Sequence, residues 1–415
     1  MSQARRKQTL QRKATLQKNN SLRITQVGVK LHNFCSSRIQ FSGYSMIKVL
    51  SLVSYQFLPP RMGGQKGIAL FYKYFTRQVD LSMVTTQNND PALAEGYELL
   101  NILSGSATRY LNIFYFFTLR SIIRRKKITH LILEHPYYGW LGLLLKWFTG
   151  VKLVVHSHNI EGLRWKTLHK WWWKILWQYE RIVHRAAAHS FFIQESDRQY
   201  AIREFGLQPS KCTVATYGIE WDQPPSQTEK QEARAYLQQQ HGIPKHHCLL
   251  LFNGAFNYSP NLEALDLIIE KINPLLQQSS LDYTILICGK DIPERISKAG
   301  IPKLVIAGFV NDINPYFRGS DIFLNPVISG GGIKTKLVEA LGNNMNAVSV
   351  ENGAEGVDPA ICGGKLVVTG NNDWPAFTAA VLQLVSRQDN IPAAFYRHFY
   401  WGTITADAAR ALNPL

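Results

Sequence analysis

No stretch of about 18 uncharged apolar residues occurs in the 415 residues, so the sequence offers no membrane-spanning helix. The nearest candidate, Tyr137 to Val151, is short, carries Lys146 and three glycines, and reads as a buried helix. Cysteine is scarce: Cys35, Cys212, Cys248, Cys288 and Cys362 are scattered without a C-x-x-C pair. That argues against a disulfide framework or a cysteine-rich zinc site and fits a reducing compartment. Neither G-x-x-x-x-G-K-S/T nor G-x-G-x-x-G followed by an acid at dinucleotide spacing is present. The P-loop ATPase and NAD-binding readings therefore drop. Acidic residues are missing altogether from 1–45.

What is present is a globular composition, 46% apolar and 18% charged. At roughly 100–200 residues per domain, the length favours two domains. Charge is unevenly distributed. Residues 1–45 hold nine Lys/Arg, residues 46–220 carry net +11 and residues 221–415 net −3, within a total of +17. The leader 1–45 has no signal-peptide core and is expected to be a basic, disordered tail, with Met46 as the alternative start. A basic half favours an anionic partner. Nucleic acid falls away, because no base-reading module or aromatic RNP pattern is found.

From Ile47 onward, apolar strand-like runs alternate with amphipathic segments. Ile47–Ser54, Thr129–Glu134, Lys152–His156 and Phe191–Gln194 read as strands, with helices over Tyr138–Thr149 and Asp197–Phe205. A polar stretch, 221–245, reads as a linker region. The pattern then restarts with a strand at His247–Asn253 and a helix over Asn261–Leu276. Strands at Tyr283–Cys288, Lys303–Ala307, Asp321–Asn325, Asn346–Val350 and Lys365–Thr369 follow. Continuous apolar strands joined by helices imply parallel sheets covered on both faces. The expectation is α/β: two consecutive Rossmann-like doubly wound domains, 46–220 and 246–390, facing a cleft. A helical segment, 391–415, packs back on the body. The ligand belongs outside the carboxyl ends of the strands.

The most informative run is Asn325-Pro-Val-Ile-Ser-Gly-Gly-Gly-Ile-Lys-Thr-Lys-Leu-Val-Glu-Ala-Leu341. A strand ends, Gly330–Gly332 permit close backbone approach, and a helix begins near Ile333. Free N–H groups and the positive dipole end at a helix start seat phosphate. Lys334 and Lys336 lie in the first turn, where positive charge is unfavourable unless a diphosphate offsets it. Glu339, one turn on, can accept hydrogen bonds from a ribose diol. An ordinary Gly-rich turn with Glu339 in a surface ion pair is the plainer alternative. Its position at a parallel strand's carboxyl end favours the ligand.

Several segments together resemble the donor half of retaining group 1 (family 4) glycosyltransferases of GT-B architecture. They are Gly308-Phe-Val-Asn-Asp312, Asp321-Ile-Phe-Leu-Asn-Pro326, Gly332-Ile-Lys-Thr-Lys-Leu-Val-Glu-Ala340 and Val348-Ser-Val-Glu-Asn-Gly-Ala-Glu-Gly356. Phe252-Asn-Gly-Ala-Phe-Asn-Tyr-Ser-Pro-Asn261 is similar to the strand and loop that open that half. Phe57-Leu-Pro-Pro-Arg-Met-Gly-Gly64 and His156-Ser-His-Asn-Ile-Glu161 are similar to segments of the other half. The resemblance implies that Glu339 binds the donor's ribose and that Lys334 with the Gly330, Gly331 and Gly332 backbone holds its diphosphate. Lys336 either assists or points outward. It further implies that Phe309 and Val310 border the base, that Gly63 and Gly64 approach the phosphate, and that His158 lines the reaction centre. His156 and His158 alternate to the same side, so spacing does not separate them. The chain departs from the family in two places. The first of two glutamates separated by seven residues is here Gly331, and the Arg and Lys that many relatives place on the diphosphate are not evident around Asn253–Ser259; Lys334 is the candidate replacement for that charge.

The implied activity is transfer of a sugar from a nucleotide-diphosphate sugar to a glycan or lipid-linked acceptor, with retained configuration, in surface-polysaccharide synthesis. No cofactor is expected. No metal is expected either, since D-x-D is absent and cations and amides can stabilise the leaving diphosphate. A sugar-nucleotide epimerase of the same architecture and a non-catalytic sugar-nucleotide-binding or membrane-scaffolding protein are the competitors. Seven of ten tryptophans fall between Trp140 and Trp177, interleaved with Lys and Arg. A Trp/Lys helix over 163–179 is therefore expected either to meet an anionic membrane surface or to be core. The expected location is cytoplasmic, with attachment to the membrane's cytoplasmic face as the alternative to a free enzyme.

Overall fold

The computed structural model describes residues 47–412 apart from Arg61; the leader 1–45 and the alternative start Met46 lie outside the described residues. In the first lobe seven strands form one parallel sheet. They are β1 (Lys48–Leu52), β2 (Asp80–Thr86), β3 (Glu98–Leu103), β4 (His130–Glu134), β5 (Lys152–Ser157), β6 (His189–Phe192) and β7 (Cys212–Val214). The spatial order is β3-β2-β1-β4-β5-β6-β7. The chain therefore turns back at β1, beside which β4 lies in parallel register from Val49↔His130 to Leu52↔Leu133. Leu131, Ile132 and Leu133 are fully buried, as a strand covered on both faces requires. The covering helices include α1 (Gly63–Phe75), α2 (Phe114–Lys126), α3 (Gly139–Thr149), α4 (Glu161–Thr167) and α5 (Trp173–Ala186).

The second lobe repeats the plan. Strands β8 (Cys248–Ala255), β9 (Tyr283–Lys290), β10 (Leu304–Gly308), β11 (Ile322–Asn325), β12 (Asn346–Val350) and β13 (Leu366–Thr369) run in the order β10-β9-β8-β11-β12-β13. Its switch point lies between β8 and β11. Each sheet thus presents a crevice at the carboxyl ends of its two central strands.

Three strands escape the sequence reading: β2, β3 and β7. β3 and β7 are edges, half-buried and short, so their hydrophobic signal is weak. The linker expected at 221–245 is largely helix α6 (Gln227–His241). Ser226 accepts from the Glu229 amide while Glu229 accepts from the Ser226 amide, a reciprocal cap that the Ser-x-x-Glu spacing announces. Arg234 Nη1 donates to Asp321 Oδ2 at 2.5 Å and Arg318 pairs with Glu229, so α6 is built into the second lobe. The helix expected near Ile333 begins two residues later, as α7 (Thr335–Gly342). The stripe expected along 163–179 is broken into α4 and α5 by a turn in which His169 adopts a left-handed conformation (φ 54°).

Two helices end the chain, Ala393–Phe399 and α8 (Trp401–Leu412). Ile219 N donates to Phe399 O at 2.7 Å and Trp401 N to Ile219 O at 3.0 Å, stapling the end of the chain to the crossover between lobes. Gly218 permits this: a Cβ there would meet Phe399 O and the Trp401 ring within 2.8 Å. Trp401 in turn packs on Phe71 of α1 and on Tyr217.

Candidate active site

On the second lobe, β11 ends at a loop whose Gly330 and Gly332 sit at φ 79° and 82°, a region that disfavours side chains. The Gly332 amide donates to Glu355 Oε2 at 3.1 Å. The amides of Gly331 and Ile333 have no acceptor among the described residues. Lys334 folds back, its Nζ donating to Gly330 O and Gly332 O at 2.8 Å each, with Glu355 at 3.9 Å. Lys336 points inward rather than outward. Its Nζ donates to Asn253 O at 3.2 Å and Asn261 Oδ1 at 2.9 Å, and lies 4.2 Å from the centre of the Phe252 ring. Burial, reinforced by Lys334, pulls its ammonium down to about 7. Burial likewise lowers Lys334, against the pull of Glu355. Two cations thus sit at a helix start, both held chiefly by carbonyl oxygens, with Glu355 at the edge of ion-pair range of Lys334 alone.

Glu339, on α7, joins the lobes. It pairs with Lys66 of α1 and accepts from Tyr217 Oη at 3.2 Å. Desolvation, and then Glu339, push the Tyr217 hydroxyl well above its usual range. Gly63, at the start of α1, faces α7: a Cβ there would come within 3.3 Å of Thr335 Oγ1. A cavity of about 200 Å³ lies between the lobes, lined by Gly63, Gly64, His158, Gln194, Gly332 and Thr335 among others. Both helix starts, α1 and α7, open on it.

The first lobe supplies a buried acid–histidine cluster at the carboxyl ends of β4 and β5. Glu134 receives His158 Nε2 on Oε2 at 2.7 Å and His156 Nδ1 on Oε1 at 2.9 Å. Tyr72 Oη donates to Oε1 at 2.5 Å and itself accepts from Ser51 Oγ at 2.6 Å. Burial alone would raise the Glu134 carboxyl, but His156 and His158 outweigh it and hold the group well below its usual range. A second tier adjoins. His135, in a left-handed conformation (φ 64°), bonds Tyr55 Oη through Nε2 at 3.1 Å and pairs with Glu161 at 3.0 Å. Burial opposes ionisation of Glu161, yet His135, Tyr137 and Arg164 bring it down to about 2. Ligand-type atoms of Glu134, His156 and His158 converge within 4.8 Å, but their contacts are those of donors around one carboxylate.

Of the residues expected at the site, Gly63, Gly64, His158 and Gly332 line the cavity. Gly330, Gly331, Lys334 and Lys336 belong to the adjoining loop and helix start, and Glu339 to the contact between α1 and α7. Phe309 and Val310 lie apart, on the loop after edge strand β10, two strands from β8. Phe309 is 69% exposed and Val310 packs on the core. Sequence reasoning passed over Glu134, His135, Lys66 and Tyr217. Glu134 left a signal: a carboxylate closing the otherwise apolar run Leu131-Ile-Leu. Lys66 and Tyr217 left none, since their meeting with Glu339 spans the two lobes.

Two Rossmann-like lobes around a cleft, with glycine-led helix starts on both walls, define the GT-B class of folds. A family model described as Glycosyltransferase Family 4 matches residues 63–223, and one described as Glycosyl transferases group 1 matches residues 247–387. The chain is similar in structure to HepE from Anabaena, solved with UDP (TM-score 0.66, 13% identity, covering 89% of this chain and 100% of that one). It is also similar to WaaG, a glycosyltransferase involved in lipopolysaccharide biosynthesis (TM-score 0.60, 14% identity, 89% and 100%). An uncharacterized 44.6 kDa protein of the cps region of Klebsiella pneumoniae is 29% identical over 120 residues, 27% of this chain and 31% of that protein. The chain belongs to the group 1 and family 4 glycosyltransferases.

Proposed function

We propose that the enzyme transfers a sugar from a nucleotide-diphosphate sugar to a glycan or lipid-linked acceptor in surface-polysaccharide synthesis, retaining the anomeric configuration. The observation that carries this is the facing of two helix starts across one cavity. Gly63–Gly64 at the start of α1 face Thr335, the first residue of α7, and with Gly332 and His158 they line the cavity. A diphosphate placed there meets both positive dipole ends, while Lys334 and Lys336 exchange carbonyl partners for phosphate oxygens. Glu339, already accepting from the Tyr217 hydroxyl, accepts from ribose hydroxyls instead in this reading. Phe309 and Val310 then border the base only if the nucleoside extends toward β10. That HepE binds UDP and UDP-glucose supports a nucleotide-sugar donor here.

In the transfer, the bond from the anomeric carbon to the diphosphate oxygen breaks and a bond to the acceptor oxygen forms on the same face. The acceptor's proton passes to the departing phosphate oxygen. Charge grows on the diphosphate, where the loop amides and lysines stabilise it without a metal. Exposed Trp171 and Ile175, with Lys170 and Lys174, support docking on an anionic membrane that carries the acceptor. Among the described residues no helix is long and apolar enough to cross a membrane.

Purified enzyme incubated with candidate nucleotide-sugars and acceptor is expected to release free nucleoside diphosphate and form product whose anomeric configuration, read by NMR, matches the donor's. Isomerised nucleotide-sugar without release would indicate an epimerase. Binding without either reaction would indicate a non-catalytic protein.

A further inference from the structure

We infer that Glu134 is a positioning residue that fixes the proton on His158 Nε2 and so presents Nδ1 as the working nitrogen of the cleft. An ionised carboxylate only accepts, so the ring nitrogens it meets must carry the protons. It meets Nε2 of His158 at 2.7 Å and Nδ1 of His156 at 2.9 Å. The two histidines are therefore held in opposite tautomers by one group. His158 keeps Nδ1 without a hydrogen-bond partner among the described residues, on a side chain that lines the cavity and is 12% exposed. His156 also borders the cavity, but its unpartnered Nε2 is itself buried and its ring packs on Phe71 and Phe191.

This asymmetry decides where a proton goes. Protonating His156 Nε2 would bury an unpaired N–H among aromatic rings, whereas protonating His158 Nδ1 exposes a donor to the cavity contents. Glu134 thus makes His158 a hydrogen-bond acceptor toward a substrate hydroxyl when neutral and a donor when charged. The groups facing His158 are Glu134 and His135 from the end of β4 and His156 from its own segment. Beyond them lie Tyr55, Tyr72 of α1 and Glu161 of α4. Tyr72 adds a third donor to Glu134 and moderates its basicity. The significance of Nδ1 for chemistry rests on the transferase reading; the tautomer assignment does not.

The test uses the full chain with 15N-labelled histidine, which reports tautomer and titration without substrate. The wild type is expected to show His158 protonated at Nε2 in its neutral form. Glu134→Gln should release this preference, the neutral His158 ring then populating the Nδ1-protonated form as well. Tyr72→Phe, which leaves both histidine donors on Glu134, should keep neutral His158 protonated at Nε2; this variant carries the test if Glu134→Gln fails to fold. Where turnover is measurable, Glu134→Gln should lower kcat about tenfold or more and displace its pH profile, with KM for the nucleotide-sugar little changed. Glu134→Asp should recover part of it. A merely structural role would lower stability and leave the His158 signals and pH profile in place, and that result overturns the inference. So does His158 protonated at Nδ1 in its neutral form. Correct tautomers without turnover on any nucleotide-sugar would leave the clamp standing and sink the transferase reading instead.

Discussion

The two walls of the cleft are finished to different degrees. On the first lobe the carboxylates are ringed by protein donors: Glu134 takes three, and Glu161 takes Tyr137 and Arg164 with His135 beside it, while outward ring nitrogens of the histidines stay unpartnered among the described residues. On the second, Lys334 and Lys336 rest on backbone carbonyls and one asparagine, and two loop amides have no acceptor. A wall satisfied by protein is preorganised for orienting a reacting group; a wall of cations and free amides is completed by its ligand. The division of labour follows. On the proposed function, the first lobe would set geometry at the reacting centre and the second would supply charge to the leaving group.

Removing the ligand-facing charge is the sharpest way to break the comparison. Glu339→Ala and Lys334→Ala are each expected to lower kcat/KM for the nucleotide-sugar on the order of 100-fold, about 3 kcal/mol of transition-state stabilisation. Glu339→Ala also frees Lys66 and the Tyr217 hydroxyl, so its cost to folding is about 1 kcal/mol. Circular dichroism and thermal melts should therefore remain near wild type while steady-state activity collapses. Near-normal turnover in both variants removes the donor-site assignment and with it the contrast between the walls.

The two lobes also differ in how they meet acid. His130, His184 and His189 of the first lobe are lowered by burial to about 4, 3 and 4. His184 makes one bond, to Ser190 Oγ, and stacks on Phe192. A base whose folded pKa lies below its unfolded value costs nothing above pH 6.5 and draws the chain toward unfolding as pH falls below it. For His184 the loss is about 1.4 kcal/mol per pH unit between about 6.5 and 3. Hydrogen exchange read by mass spectrometry at pH 5.5 and 4.5, corrected for intrinsic rate, should show protection lost first around β4, β6 and α5. Earlier loss in the second lobe would reverse the expected order.

How much of this was open to a reader of the sequence depended on range. The Gly330–Gly332 loop, Lys334, Lys336 and Glu339 fall within ten residues, so a strand end, a glycine run and a helix start could be read together. Continuous apolar runs marked β1, β4, β5 and β12 for the same local reason. Lys66 and Glu339 are 273 positions apart, and nothing local in either predicts the meeting. Helix α6 was missed although Ser226 and Glu229 announce its start, because its sequence is polar nearly all round, with only Ala233 and Leu237 buried. The single Trp/Lys stripe failed because helical periodicity says nothing about a left-handed turn at His169.

Lys336 sharpens the comparison at a smaller scale. With burial holding its ammonium at about 7, binding a diphosphate should raise that value and take up a proton. Affinity is then level below pH 7, where the lysine is already charged, and weakens above it by about tenfold per pH unit at most. Titration calorimetry of a nucleoside diphosphate in buffers of different ionisation enthalpy measures the proton uptake directly. Lys336→Met should weaken binding at pH 6.5 and abolish the slope above 7. A slope that survives the substitution assigns the titration to another group.

The smallest effect concerns the outer surface of the first lobe, where two apolar patches are candidates for the proposed membrane contact. One surrounds the turn between α4 and α5: Leu168, Trp171 and Ile175 are exposed, and the half-buried rings of Trp165 and Trp172 meet at 4.8 Å, tilted by 43°. The other joins Leu111, Phe114 and Phe117 at the start of α2 to Trp147 and Phe148 at the end of α3, with Phe116 touching both Phe117 and Phe148. The first has Lys166, Lys170 and Lys174 around it; the second has its basic run, Arg124 to Lys127, at the far end of α2. Contact with an anionic surface draws on both apolar burial and adjacent cations, at about 1 kcal/mol per charge, so the Trp171 patch should dominate. Trp171→Ala is expected to reduce partitioning onto phosphatidylcholine vesicles containing phosphatidylglycerol about fivefold, less at high salt, with Phe117→Ala changing it less than twofold. A larger effect of Phe117→Ala would move the membrane contact to α2 and α3, and an equal loss on vesicles of phosphatidylcholine alone would make apolar burial, not charge, the reason for docking.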